Sequence, residues 1–249
     1  MILYSNSCSF GAPQEHEVYG NFVAKHVGAK FINAGVSGSC NRRIIRTSLR
    51  DLLSLKDVDQ CVALIGLTLI ERTELWQPEK PANSNDGHFH SIIPTHKSLN
   101  WSNGLIDNIV PNIADYADIT VRDYYKNWLI HFNPESVVTD LLTDLLMFAG
   151  WARANQVRYV IFSNMAVLPG PNKVGYTSPF ISSLVSELQQ DKNIIDPWSF
   201  SFGTHALSQG FIPKDHNKRG VHGHPGVEAH QMFGQFLIEH IEKQYDTSS

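Results

Sequence analysis

Three short apolar runs in the first 70 residues each break off into a loop of small polar residues, and this repeated junction limits the fold more than any other feature of the chain. Ile2-Leu3-Tyr4 runs into Ser5-Asn6-Ser7-Cys8-Ser9, with Gly11 and Pro13 marking a turn. Ala29 to Ile32 runs into Asn33-Ala34-Gly35-Val36-Ser37-Gly38-Ser39-Cys40-Asn41, and Cys61 to Ile65 closes with Gly66-Leu67-Thr68. Helical spacing fills the gaps. Val18, Phe22, Val23 and Val27 share a face before a stop at Gly28, and Ile44, Ile45, Leu49, Leu52 and Leu53 follow a cap at Ser39 or Asn41. Such alternation argues for βαβ units, a mostly parallel sheet and helices on both faces. Ligands of such sheets sit beyond the carboxyl ends of the strands.

Residues 69 to 121 interrupt the rhythm. Pro78, Pro81, Pro94 and Pro111, with scattered aromatics at Trp76, Phe89, Trp101 and Tyr116, suit a long irregular insertion over the active edge of one domain spanning residues 1–249. Arg72 and Glu74 at its start suggest an ion pair bracing it. Asn133-Pro134-Glu135 then opens a broad apolar helix that Asn155 ends. Val157 to Phe162 is the next strand, 180 to 188 a helix, and Asn193-Ile194-Ile195 a short strand. Gly203 to Arg219 reads as polar and irregular. The last helix buries Ala229, Met232, Phe233, Phe236, Leu237 and Ile241, and the tail from Gln244 is expected to fray with Tyr245. The expected architecture is a three-layer α/β/α sandwich with about five strands.

A net charge of −4, from 20 basic and 24 acidic residues, leaves no broad footprint for nucleic acid. Arg42, Arg43, Arg46 and Arg50 form a local stripe that reads as the solvated side of one helix. The start of the chain lacks signal-peptide character, and no apolar run is long enough to span a membrane. Cys8, Cys40 and Cys61 have no zinc spacing, with Cys61 in an apolar run. A cytoplasmic or virion-associated location is the expectation.

The chemistry concentrates in two distant places, the serine-rich tip after the first strand and His222-Gly223-His224-Pro225 before the last helix. A serine hydroxyl is a poor nucleophile until an imidazole takes its proton. Small-residue loops arriving at the same edge can stabilise an oxyanion through backbone N–H groups.

These stretches resemble the four short blocks of the SGNH, or GDSL-like, hydrolases. Ser5-Asn6-Ser7-Cys8-Ser9-Phe10-Gly11 is similar to the first block, G-D-S-x-(S/T)-x-G, with Ser and Asn where Gly and Asp are usual. The resemblance makes Ser7 the nucleophile and implies an oxyanion hole from Ser7, Gly38 (preferred to Gly35) and Thr68, the last in place of the third block's asparagine. His224-Pro225 matches the core of the final block, so His224 is the implied base, and His230 corresponds loosely to a later histidine. The block's aspartate position holds Val221. Asp215 swinging in, His222 two residues before the base, or a backbone carbonyl could orient the imidazole instead; otherwise the site has decayed. Asn41 and Arg72 are candidate substrate contacts.

The resemblance implies serine-dependent hydrolysis of a carboxylic ester, with O-deacetylation of a carbohydrate as the implied substrate class and no cofactor. Its style is closer to variants encoded by tailed phages than to secreted lipases. Two rivals stand beside it. One is a non-catalytic structural or interaction protein, such as a phage particle or assembly component, with self-association as its partner chemistry. The other is a metal-dependent hydrolase using Asp215, His216, His222, His224 and His230. His88, His90 and His96 read as solvent-facing loop residues.

Overall fold

The three opening apolar runs are strands β1 (Ile2–Ser7), β2 (Lys30–Asn33) and β3 (Cys61–Leu67) of one parallel sheet. The computed structural model describes residues 1–70, 72–76, 89–92, 124, 127–128, 131–168, 178–211 and 224–245. Between the strands lie α1 (Tyr19–His26) and α2 (Asn41–Leu53). An antiparallel pair, β4 (Thr73–Trp76) and β5 (Phe89–Ile92), stands apart from the main sheet. Then follow α3 (Pro134–Ala154), β6 (Arg158–Ser163), α4 (Pro179–Gln189), α5 (Phe202–Ser208) and α6 (Val227–Tyr245).

The main sheet has the order β2-β1-β3-β6, and a parallel bridge from Ile161 to Ile194 adds a rudimentary fifth position. The strand order therefore reverses beside β1, the crevice where doubly wound sheets hold their ligands. All seven residues of β3 are buried, as a central parallel strand covered on both faces requires. Alternation along the strands divides the core. Tyr4, Ala63, Ile65, Tyr159 and Ile161 face α2, α3 and α4, whereas Leu3, Val62, Leu64, Val160 and Phe162 face α1, α5 and α6. This is the expected α/β/α sandwich.

Local chemistry explains most boundaries. Gly28 ends α1 at φ +62°, where a side chain would be strained. The Asn133 side-chain oxygen Oδ1 accepts from the N–H groups of Glu135 and Ser136 at 2.9 and 3.3 Å, and Pro134 lies in the first turn.

Several expectations need correction. The cap of α2 is Cys40, whose Sγ accepts from Arg43 N–H at 3.4 Å. Ser39 and Asn41 are otherwise engaged: the Ser39 hydroxyl donates to the Val36 carbonyl and accepts from Arg43, and the Asn41 amide holds Thr68. A helix, α5, occupies the start of the stretch read as irregular; Ser201 and Thr204 form a capping box, and Phe202 and Ala206 are buried. Tyr245 does not fray. Its hydroxyl accepts from Tyr159 N–H at 3.0 Å and reaches Asn193 Oδ1 at 2.7 Å.

The arginine stripe is not simply solvated either. Arg43 is buried, and Arg46 makes a two-point ion pair with Glu74 (3.2 and 2.8 Å), whose carboxylate side is only 4% exposed. Glu74 thus braces the inserted β-pair against α2, while Arg72, its expected partner, donates to the Ser39 carbonyl at 3.3 Å. The Arg46 guanidinium offers two parallel donors that match the two carboxylate oxygens of Glu74. All three cysteines are free and buried. Among the described residues no helix is long and apolar enough to cross a membrane.

Candidate active site at the carboxyl edge of the sheet

Ser7 is the last residue of β1, in register with Gly66 of β3. Its carbonyl accepts the Val36 N–H at 3.0 Å, which ties the loop after β2 to the same edge. The side chain is fully buried, and its hydroxyl donates to the Cys8 carbonyl at 3.1 Å. In this conformation the Ser7 proton points at a carbonyl rather than an imidazole.

Asn6, one residue earlier, faces the opposite layer. Its amide nitrogen meets the Ile44 carbonyl at 3.0 Å and the hydroxyls of Tyr4, Thr47 and Ser48 at 3.2, 2.8 and 3.0 Å. That cluster joins β1 to α2 and fixes the strand end from below.

His224 lies beside the first block, its ring 5.5 Å from that of Phe10. Ser9, Glu15, His16, Ser37, His224 and Glu228 contribute to the lining of a cavity of about 690 Å³. Ser9 and Ser37 therefore border this cavity with His224, whereas Ser7 is covered.

Gly38 sits in the loop after β2 at φ +81°, a left-handed conformation suited to glycine. The Ser39 N–H closes the turn onto the Val36 carbonyl at 3.1 Å. Thr68 is buried at the end of β3, but its hydroxyl is directed to the Met165 sulfur at 3.4 Å. Its backbone is clamped by Asn41, whose amide oxygen accepts Thr68 N–H at 2.7 Å and whose amide nitrogen donates to the Thr68 carbonyl at 3.0 Å. Both polar atoms of Asn41 thus serve the loop, although the residue also borders a cavity of about 340 Å³ with Arg42, Arg72, Asp140 and Asp144. Arg72 Nε is buried there without a partner among the described residues. Burial raises the Asp144 carboxyl above its ordinary pKa.

Asp215, His216, His222, Val221, His88 and His96 lie outside the described residues, as does the side chain of His90. Among the described residues no group of three or more His, Cys, Asp or Glu side chains could hold a metal ion.

Three residues without a motif also crowd the site. Tyr19 opens α1, and its phenol oxygen accepts from Asn164 Nδ2 at 3.3 Å, with Ser7 Oγ close by across Gly11. The His16 ring lies 5.5 Å from that of His230, tilted by 45°. Only Asn164 carried a sequence signal, as a polar residue ending a strand; His16 and Tyr19 sit in a loop and at a helix start where spacing says nothing about partners.

His230 is fully buried on α6, and its Nδ1 accepts from Tyr19 N–H at 3.4 Å. Burial, then the nearby His16 and His224, lowers its pKa from 6.5 to about 3. The native imidazole is neutral across that window while the unfolded one binds a proton. Its stabilisation is thus complete above pH 6.5 and is lost as pH falls toward 3, at about 1.4 kcal/mol per pH unit for one proton. In chemical denaturation, His230→Gln is expected to flatten the acid side of the stability curve by that slope. An unchanged slope would show that His230 is not the group responsible.

A family model described as "Family of unknown function (DUF6071)" matches residues 6–246, nearly the whole length. The chain belongs to that family. Among curated proteins no sequence match is found. Among solved structures this DUF6071 chain is similar to the psychrotrophic esterase EstA from a Pseudoalteromonas species, inhibited by monoethylphosphonate. There the identity is 13%, over 99% of this chain and 98% of the other, with a TM-score of 0.49. It is also similar to a GDSL-like lipase from Bacteroides thetaiotaomicron (11% identity, 98% and 87% covered, TM-score 0.42). A third is a catalytic mutant of an acetylxylan esterase from Geobacillus stearothermophilus (11% identity, 96% and 93% covered, TM-score 0.41). At these identities the likeness assigns no role to any residue.

Proposed function

We propose that this chain hydrolyses a carboxylic ester with Ser7 as nucleophile and His224 as general base. One convergence supports the reading: the ends of β1 and β3, the loop after β2 and the segment before α6 all meet at one carboxyl edge, with the His224 ring packed 5.5 Å from Phe10.

The Ser7 hydroxyl first turns from the Cys8 carbonyl toward His224. Oγ then bonds to the acyl carbon as its proton passes to the imidazole, and the carbonyl electron pair moves onto oxygen. The N–H groups of Ser7 and Gly38 receive that oxyanion. Collapse expels the alcohol, which takes the proton back from His224, and water repeats the sequence on the acyl-enzyme. With Thr68 turned to Met165, the hole has fewer donors than the resemblance implies. Asp215 or His222 is the candidate for orienting the imidazole.

The lining chemistry bears on the substrate. Serines, histidines and the carboxylates of Glu15 and Glu228 border the cavity, so a small acyl group on a neutral polar alcohol, such as an O-acetylated sugar, suits it better than an anionic or long-chain ester.

A second reading is favoured by the covered Ser7 and the valine at position 221: a domain that keeps the fold and serves as a structural or assembly component. A fluorophosphonate probe with peptide mapping separates the two. Covalent label on Ser7, together with turnover of short-chain nitrophenyl or acetyl-sugar esters, is the expected result. Folded protein that takes no label and turns over no ester favours the scaffold.

A further inference from the structure

Tyr19 buries its phenol in the core between the sheet and the α1/α6 layer. The ring is held edge-on against Phe162, Phe202 and Phe233 at centroid distances of 5.5, 5.8 and 5.5 Å, so its oxygen has little freedom to move. Two glycines admit that oxygen to the nucleophile. A Cβ at Gly11 would overlap both the Tyr19 hydroxyl and Ser7 Oγ, and one at Gly66 would overlap the Asn164 amide and close to 3.0 Å from Ser7 Cβ. Ser7, Tyr19 and Asn164 therefore meet in a space that only glycines leave open.

Asn164 is itself rigid. Its N–H donates to the Leu67 carbonyl and its carbonyl accepts from Gly203 N–H, both at 2.8 Å. The order of protons follows from donor capacity. Asn164 Nδ2 can only donate, so the phenol oxygen receives a hydrogen there and keeps its own to give. Ser7 gives its proton to Cys8, which leaves the lone pairs of Oγ open toward Tyr19.

We infer that Tyr19, aligned by Asn164, donates a hydrogen bond to Ser7 Oγ and positions that oxygen for attack, a role outside the four blocks. The inference rests on Ser7 being the nucleophile. As His224 draws off the serine proton, charge gathers on Oγ before the bond to carbon is complete, and a neutral donor aimed at that atom stabilises it. Burial pushes the phenol up to about 12, so it remains a donor throughout the neutral range. Tyr19 and Asn164 are positioning residues here, since neither is required to touch the substrate.

The test compares wild type, Tyr19→Phe, Asn164→Ala and the double variant by the rate constant of fluorophosphonate labelling at Ser7 and by kcat and KM on a short-chain ester. Tyr19→Phe should slow labelling and kcat about tenfold or more with KM unchanged, the scale of one lost bond to a developing charge. Asn164→Ala should be slow alone yet add almost nothing to Tyr19→Phe, because it acts through the phenol. Labelling of folded Tyr19→Phe at the wild-type rate overturns the inference and leaves the esterase reading standing. A further loss on adding Asn164→Ala overturns the alignment by Asn164. A wild type that takes no label at Ser7 removes both proposals together.

Discussion

Ser7→Ala and His224→Ala are each expected to cut ester turnover by roughly 10⁴-fold or more while the protein stays folded. The fold depends little on either group. Ser7 contributes one hydroxyl-to-carbonyl bond of 3.1 Å inside β1's own turn, worth on the order of 1 kcal/mol. His224 borders a cavity rather than the core. Catalysis, in contrast, needs both in the same step, so the double variant should be no slower than either single one. Ser9→Ala is the informative control, because Ser9 shares the cavity with His224. Activity that survives Ser7→Ala and vanishes in Ser9→Ala would move the nucleophile two residues along the same loop.

Asn6→Asp, which restores the residue usual in the resembled first block, is expected to destabilise the protein by about 3–5 kcal/mol at neutral pH, the scale of an unpaired buried charge. Asn6 is wholly buried, and its nitrogen is surrounded by acceptors. The hydroxyls of Thr47 and Ser48 already donate to the Arg43 and Ile44 carbonyls at 2.8 and 2.7 Å, so they present lone pairs to residue 6. The Ile44 carbonyl does the same directly at 3.0 Å. Tyr4, the fourth neighbour, donates to the Asp51 carboxylate at 3.0 Å and so brings a negative group close behind. An aspartate here would have its pKa raised, and the native state would bind its proton more readily than the unfolded chain. Part of the stability should therefore return as pH falls toward the ordinary carboxylate range. Denaturation curves at neutral and mildly acid pH check this, and an Asn6→Asp protein as stable as wild type at neutral pH would sink the account. The asparagine is then a consequence of what α2 presents to β1.

The strand–loop junctions were legible because they depend on composition alone: an apolar run buried on both faces must give way to small polar residues where it leaves the sheet. The cap at Asn133 and the stop at Gly28 were legible for the same local reason. Cys40 was passed over as the cap of α2 because Ser39 and Asn41 are better acceptors in isolation. Both are occupied otherwise, Ser39 by Val36 and Arg43 close by in the chain and Asn41 by Thr68 across 27 residues. The Arg46–Glu74 pair, 28 residues apart, was missed in favour of the nearer Arg72 because proximity in the chain is a poor guide to proximity across a sheet edge.

By itself, the order of residues determined the α/β rhythm, the parallel sheet and the small-residue loops at one edge, since hydrophobic period and turn chemistry act over a few residues at a time. Which polar atoms reach one another was decided only by tertiary packing. Tyr19 and Asn164, 145 residues apart, meet against Ser7 because Gly11 and Gly66 leave space for them. Thr68 gives its hydroxyl to Met165 while Asn41 holds its backbone. Each of those outcomes depends on steric exclusion between distant segments, a quantity that no window of sequence contains.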